Sequence, residues 1–119
     1  MTTSTTQLTA PIRSQLAGDP DMAELIDVFV GELPKRADSV MEAWRARQLK
    51  TLERLAHQLK GSSAGYGFPS IGSAAAKVEN CLKSASHEQV KLNEVAAGVN
   101  ELIDLCRRAA SGSAQAKAA

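Results

Sequence analysis

The chain is short of aromatic residues, of histidine and cysteine, and of long apolar runs. Aromatic residues make up 3% of its 119 residues, with two histidines and two cysteines. Because β-strands draw on aromatic side chains, this composition argues against a sheet. We interpret Cys81 and Cys106 as reduced thiols on apolar helical faces rather than as a disulfide framework. The few histidines and cysteines are widely separated, so zinc-ligand spacing is missing and we expect no metal site.

The chain also lacks a strong net charge. A formal charge of +1 gives no field that would hold nucleic acid or an anionic membrane. Aromatic platforms on which bases could stack are missing as well. No apolar run approaches the roughly 20 residues of a membrane span, and the first residues lack a signal peptide's basic and apolar regions. We therefore expect a cytoplasmic protein that binds neither nucleic acid nor a membrane.

What the sequence does contain is abundant alanine, together with apolar residues spaced three and four apart. This pattern predicts an all-α fold, an antiparallel up-down four-helix bundle with an additional N-terminal helical segment. Asp19 is expected to cap the first main helix, with Pro20 at its first position. Pro34 predicts either a kink or the start of a new helix. Further helices are predicted from Leu49 to Tyr66, from Pro69 to about Ser84, and over a last stripe of Leu92, Val95, Val99, Leu102 and Cys106.

The length fits one compact domain with little left over. We expect residues 1–18 to form an N-terminal segment that is partly flexible, with a short helix or an irregular lid between Leu8 and Leu16. The bundle is assigned to residues 19–110. Residues 111–119 have no apolar stripe, so they are predicted to be a disordered tail.

One histidine, His57, lies within the predicted helix from Leu49 to Tyr66. On a helical wheel it falls opposite the apolar sector, so its side chain is expected in solvent. That sector is formed by Leu52, Leu55, Leu59 and Tyr66.

Four residues share the outward face with His57, namely Glu53, Lys60, Gly61 and Ala64. A neutral imidazole is a nucleophile near pH 7, and its attack on phosphorus gives phosphohistidine. Lys60 supplies a cation for the phosphoryl oxygens. A glycine inside a helix costs about 1 kcal/mol relative to alanine, so Gly61 indicates that something large approaches the ring. From these residues alone, a solvated histidine without function remains an alternative.

The residues from His57 to Gly67, read as His-Gln-Leu-Lys-Gly-Ser-Ser-Ala-Gly-Tyr-Gly, resemble the signature of histidine-containing phosphotransfer (Hpt) domains. That signature is His-x-Leu/Ile-Lys-Gly-small-small, followed by a glycine ten residues after the histidine. The segment from Phe29 to Pro34 is similar to the family's Phe-x-x-x-x-Pro stretch, and the likeness covers roughly residues 20 to 108.

The resemblance implies a four-helix bundle in which His57 is phosphorylated and passes the group to an aspartate of a response-regulator receiver domain. It further implies that Lys60 stabilises the phosphoryl group, that Gly61 leaves room for the receiver, and that Gly67 shapes the end of the helix. In the family, magnesium belongs to the receiver, so no bound cofactor is expected in this chain.

The implied partners are receiver domains and a sensor histidine kinase, and we expect a monomer whose active face stays uncovered. A possible receiver interface consists of Glu53, Arg54, Gln58, Ala64 and Lys77, although solvated charges would explain the charged members equally well. No ATP-binding motif is present, which favours a phosphocarrier over an enzyme.

Two other interpretations stay open. The chain could be the phosphoryl-donor domain cut from a chemotaxis-type or hybrid histidine kinase. It could instead be a structural adaptor bundle that keeps the motif without using it. The starting Met1 and the polar tails favour a free-standing protein, and the length of the gene would decide.

Overall fold

The structure is a computed structural model that describes residues 11–84 and 92–118, with side chains described for residues 11–83 and 92–111. Four α-helices occupy these ranges: α1 (Ala23–Arg45), α2 (Leu49–Gly65), α3 (Pro69–Ser84) and α4 (Leu92–Ala118). No strand occurs in the two ranges. Helices α1 and α3 each pack against both α2 and α4. Three-residue connections at 46–48 and 66–68 make α1, α2 and α3 run alternately up and down. The predicted all-α four-helix bundle is confirmed.

The core is built from aliphatic side chains and alanine, with a small aromatic group at one end. The Phe29 ring stacks on Tyr66 with centroids 4.8 Å apart and tilts against Phe68 at 5.8 Å. This aromatic group fixes the end of the bundle at which α1 begins and α2 ends. Burial raises the pKa of the Cys106 thiol to about 12, so this core cysteine stays protonated. Each helix contributes a buried stripe, which in α4 consists of Val95, Val99, Leu102, Ile103, Cys106 and Ala109.

Helix α1 differs from its prediction at its start, and no new helix begins at Pro34. It begins at Ala23 and not at Pro20, because a turn comes first: the Asp21 amide donates to the Asp19 carboxylate at 2.9 Å, and the Met22 amide donates to the Asp19 carbonyl at 3.0 Å. Pro34 lies inside α1, which continues through it as one helix. Pro34 is on the exposed side, where water can satisfy the carbonyl that loses its amide donor.

The N-terminal segment, defined here as residues 11–18, forms irregular backbone and turns, which agrees with the irregular alternative and not with an additional helix. It is held against the bundle by hydrogen bonds. The Ile12 amide donates to the Arg108 carbonyl at 3.0 Å, and the Gln15 amide donates to the Gly67 carbonyl at 2.8 Å. The Ser14 hydroxyl donates to the Tyr66 carbonyl at 2.5 Å. The amides of Ile12 and Gln15 are thus bonded to the bundle and not within a helix of the segment. The bonds to Tyr66 and Gly67 place the segment over the end of α2. Residues 1–10, which include the start of the predicted short helix, lie outside the described ranges.

Gly67 adopts the left-handed backbone conformation expected at the end of α2, with φ of 84°. A Cβ placed here would overlap the Ser14 hydroxyl oxygen and lie 3.0 Å from the amide nitrogens of Gln15 and Leu16. The glycine therefore allows the N-terminal segment to pack directly on the turn.

We expect Gly67→Ala to lower the free energy of unfolding by at least about 1–2 kcal/mol, because an L-residue is strained in this conformation and the new methyl group meets Ser14. Urea unfolding measures the change. Gly31→Ala is the matched control: its site in α1 has nothing within 4 Å of the new methyl group. The control should gain about 1 kcal/mol of stability. Unchanged stability of Gly67→Ala would show that the turn can rearrange freely.

Helices α2 and α3 come together closely because small residues lie between them. Gly72 on α3 is buried, and a Cβ at this position would be 3.5 Å from the Lys60 carbonyl oxygen and 4.0 Å from the Ser63 Cβ. Ala56 and Ala75 are also fully buried, one on each helix. This close approach brings the side chains farther along α3 within reach of the outward face of α2.

Helix α4 extends to Ala118, whereas we predicted a disordered tail over 111–119. The composition gives the reason: Ala114, Ala116 and Ala118 have the highest helix propensity of any residue, which supports a helix even without an apolar stripe. Residues 85–91, between α3 and α4, lie outside the described ranges. None of the helices in the described part of the chain has the length and apolar character needed to cross a bilayer.

Candidate functional site

His57 lies in the middle of α2 with 65% of its side chain exposed. The exposure predicted from the helical wheel is confirmed. This exposure follows from the amphipathic character of α2. The apolar face of the helix packs into the core, and His57 lies on the opposite face. That buried face consists of Leu52, Ala56, Leu59 and Ser63.

A buried glutamate on the neighbouring helix holds the imidazole. Glu79 of α3 is only 2% exposed, and its Oε2 lies 2.7 Å from His57 Nδ1. Lys60 Nζ donates to the other oxygen, Oε1, at 2.6 Å. Lys83, one turn along α3, places its Nζ 3.3 Å from Oε2. One carboxylate therefore binds a histidine and two lysines from two helices.

The cluster keeps Glu79 ionised. The Lys60 hydrogen bond lowers the pKa of Glu79 most strongly, and the hydrogen bonds from His57 and Lys83 lower it further, while burial opposes them. The net result is a pKa of about 2. At neutral pH the carboxylate can therefore only accept hydrogen bonds.

This restriction fixes the state of the imidazole. Because Glu79 only accepts, Nδ1 of His57 must carry the hydrogen in their 2.7 Å contact. The lone pair of the neutral ring is then on Nε2. A carboxylate on one ring nitrogen is a common way of selecting the tautomer and raising the basicity of the other nitrogen. The ring is thus largely exposed, is held through Nδ1 by Glu79, and carries its lone pair on Nε2.

Comparison with known protein families identifies the family of the chain. The family model described as "Hpt domain" matches residues 24–112. This chain belongs to the Hpt domain family. Hpt domains are helical phosphocarriers of two-component signalling that lack kinase activity and interact with kinases and receiver domains. No curated protein and no solved structure gave a significant match to the chain.

Gly61 is open, as expected for a residue that sequence analysis placed beside the histidine of this Hpt domain. It is exposed, and no atom lies within 4 Å of the position that a Cβ would occupy. Lys60 is 41% exposed and is bound to Glu79. The other α2 candidates lie on the outer side of the helix, where Arg54, Gln58 and Ala64 are exposed and Glu53 is half-buried.

Lys77 is the one predicted interface residue that the fold places elsewhere. Its Nζ lies 3.7 Å from Glu101 Oε1 on α4, on the α3–α4 side of the bundle. On α3, Lys77 and Glu79 are two residues apart, and such residues point in very different directions on a helix. Lys77 is therefore omitted from the interface proposed below.

Glu79 and Lys83 are the site residues that sequence analysis missed. A signal for Glu79 exists in the sequence, because it follows Ala75 by four residues and precedes Leu82 by three, within the apolar stripe of α3. A charged residue on an inward face requires a partner. Among the described residues, no group of three or more histidine, cysteine or acidic side chains could hold a metal ion.

Proposed function

We propose that this Hpt domain carries a phosphoryl group on Nε2 of His57. The group would come from a sensor histidine kinase or from a phosphorylated receiver domain, and would pass to the aspartate of a receiver domain. The observation that carries the proposal is the 2.7 Å contact between Nδ1 of the exposed ring and the buried Glu79 carboxylate. It leaves Nε2 as the nitrogen that can attack phosphorus.

The transfer from a phospho-aspartate donor balances as follows. The Nε2 lone pair forms the N–P bond, the P–O bond to the donor breaks, and its electron pair leaves with the aspartate carboxylate. The hydrogen stays on Nδ1, and the ring gains positive charge as the bond forms. Glu79 stabilises that charge through its hydrogen bond with Nδ1, in the same way that a buried carboxylate supports an imidazolium in acyl transfer. Magnesium bound by the receiver would supply positive charge for the phosphoryl oxygens, and no residue of this chain is proposed to hold it.

Lys60 has two tasks in this mechanism. It holds the Glu79 carboxylate through the 2.6 Å bond to Oε1, and it keeps a positive charge close to the ring. Phosphoryl transfer depends mostly on positioning and on electrostatic stabilisation of the oxygens, which is what such a lysine provides. Loss of Lys60 should therefore affect both the rate and the ionisation of Glu79.

We further propose that the partner docks over α1 and α2. Leu25 and Val28 of α1 are 49% and 63% exposed, which is unusual for large apolar side chains. They flank Phe29, whose ring stacks on Tyr66 at the end of α2. Two exposed apolar side chains on one turn of α1 favour a protein partner at this end of the bundle. The exposed α2 residues of this surface are Arg54, Gln58, Gly61 and Ala64.

Val28→Glu should slow transfer from a phosphorylated receiver by about tenfold at limiting receiver concentration, because a charge would be buried in the contact. The matched control is Leu92→Glu. Leu92 is 45% exposed but begins α4, at the opposite end of the bundle from Phe29. Initial rates of label transfer measure both variants. Equal rates for Val28→Glu and Leu92→Glu would place the docking surface elsewhere.

The function itself is tested by incubating the protein with a phosphorylated receiver domain and following the label. Wild-type protein should gain label in an acid-labile, alkali-stable bond, as expected for phosphohistidine. His57→Gln should gain none. Labelling of His57→Gln at the wild-type rate would refute the proposal.

A further inference from the structure

Lys83 shares a carboxylate oxygen with the reactive histidine. Its Nζ is 3.3 Å from Glu79 Oε2, and His57 Nδ1 is 2.7 Å from that same oxygen. The side chain of Lys83 is 56% exposed, so its ammonium group borders both the buried carboxylate and the solvent beside the ring. Lys83 is not part of the sequence motif, which lies on α2. It lies on α3 and follows Glu79 by one helical turn.

The two lysines of the cluster are not equivalent. Lys60 binds Glu79 at 2.6 Å, and its hydrogen bond is the largest cause of the lowered pKa of the carboxylate. Lys83 binds at 3.3 Å with a more exposed side chain. Of the two ammonium groups, Lys83 therefore loses less when it leaves the carboxylate. Its flexible stem allows this movement without any change in the backbone.

The formal charges of the cluster favour a second lysine. Two lysines face one carboxylate, so the resting site holds one positive charge in excess when His57 is neutral. Adding a phosphoryl group to the neutral ring adds one negative charge, which makes the cluster neutral. Without Lys83 the same step would leave an uncompensated negative charge beside a buried carboxylate, which is unfavourable.

We propose that Lys83 is a phosphoryl-binding residue of this site. When Nε2 of His57 carries the group, the Lys83 ammonium leaves Glu79 Oε2 and binds the phosphoryl oxygens, while Lys60 stays on Oε1. This proposal rests on the proposed function. It gives Lys83 the direct contact with the phosphoryl oxygens, while Lys60 holds the carboxylate and keeps its positive charge near the ring.

The test compares wild-type protein with Lys83→Met, Lys83→Arg and the control Lys77→Met. Lys77 is the matched control because it lies on the same helix, is 67% exposed and is ion-paired with Glu101 away from the ring. Each variant is phosphorylated by a receiver, and the rate of labelling is measured. The ³¹P resonance of the phosphohistidine is then followed against pH, which reports the charge around the phosphoryl group. A merely structural lysine would not change that titration.

Lys83→Met should label about tenfold more slowly, as expected for the loss of one charge-assisted hydrogen bond to the group. Its phosphoryl group should also take up a proton at a higher pH than in wild-type protein. Lys83→Arg should restore most of the rate, and Lys77→Met should match wild type. A wild-type rate and ³¹P titration for Lys83→Met, with label still on His57, would overturn the role of Lys83 alone. Absence of label on wild-type His57 would overturn the proposed function and this inference together.

Discussion

Replacing Glu79 with glutamine should slow phosphotransfer to His57 by about 10- to 100-fold, the loss typical of removing a residue that orients a reactive histidine. A neutral amide can donate as well as accept, so it can turn the ring to the tautomer that carries hydrogen on Nε2. The nucleophilic lone pair is then lost. The amide also gives less stabilisation to the positive charge that develops on the ring. Initial rates of labelling from a phosphorylated receiver measure the effect.

Glu101→Gln is the control for this substitution. Glu101 is also a glutamate paired with a lysine, but its partner is Lys77 on the α3–α4 side of the bundle. The control should transfer at the wild-type rate. Circular dichroism and urea unfolding would confirm that both variants keep the bundle. If Glu79→Gln transfers as fast as Glu101→Gln, the buried carboxylate does not contribute to the chemistry.

Gly61→Leu should slow transfer between His57 and a receiver by about 100-fold, because a branched side chain would keep the two reacting atoms apart. The bundle itself has room for it, since nothing lies within 4 Å of the position of a Cβ on Gly61. The variant should fold with at least wild-type stability, because leucine is the better helix former. Labelling by a phosphorylated receiver and urea unfolding measure the two properties.

A small phosphoryl donor separates blocked docking from damaged chemistry in this variant. Phosphoramidate has no surface to dock, so it should phosphorylate His57 in Gly61→Leu at close to the wild-type rate. Gly61→Ala should fall between wild type and Gly61→Leu with the receiver, and should be more stable than wild type by about 1 kcal/mol. Normal transfer from the receiver to Gly61→Leu would remove the steric role of the glycine.

The position of His57 could be predicted from the sequence because it depends on one helix. The spacing of Leu52 and Leu59 fixes the buried face of α2, and the exposure of the ring follows from helical geometry. The partner of the ring could not be predicted in this way. Glu79 is 22 residues away and reaches the ring because α3 packs closely against α2, with small residues such as Gly72 between the two helices. Contacts between helices depend on packing, and periodicity within one helix does not report it.

The errors in the predicted boundaries have local causes. Pro20 suits the first turn of a helix, but the Asp19 carboxylate and carbonyl close a turn that delays α1 until Ala23. Pro34 removes one backbone hydrogen bond, yet the flanking Leu33 and Ala37 are fully buried and their packing keeps the helix in one piece. At both prolines, contacts made by neighbouring residues determine where α1 begins and continues more than the proline itself does.

The most direct test of this account is to determine which nitrogen of His57 carries hydrogen and which carries phosphorus. Long-range ¹H–¹⁵N spectra of ¹⁵N-labelled protein distinguish the two ring nitrogens before and after phosphorylation. We predict hydrogen on Nδ1 in the free protein and the phosphoryl group on Nε2 after transfer, with Nδ1 still bonded to Glu79. Hydrogen on Nε2 in the free protein, or a phosphoryl group on Nδ1, would contradict the mechanism.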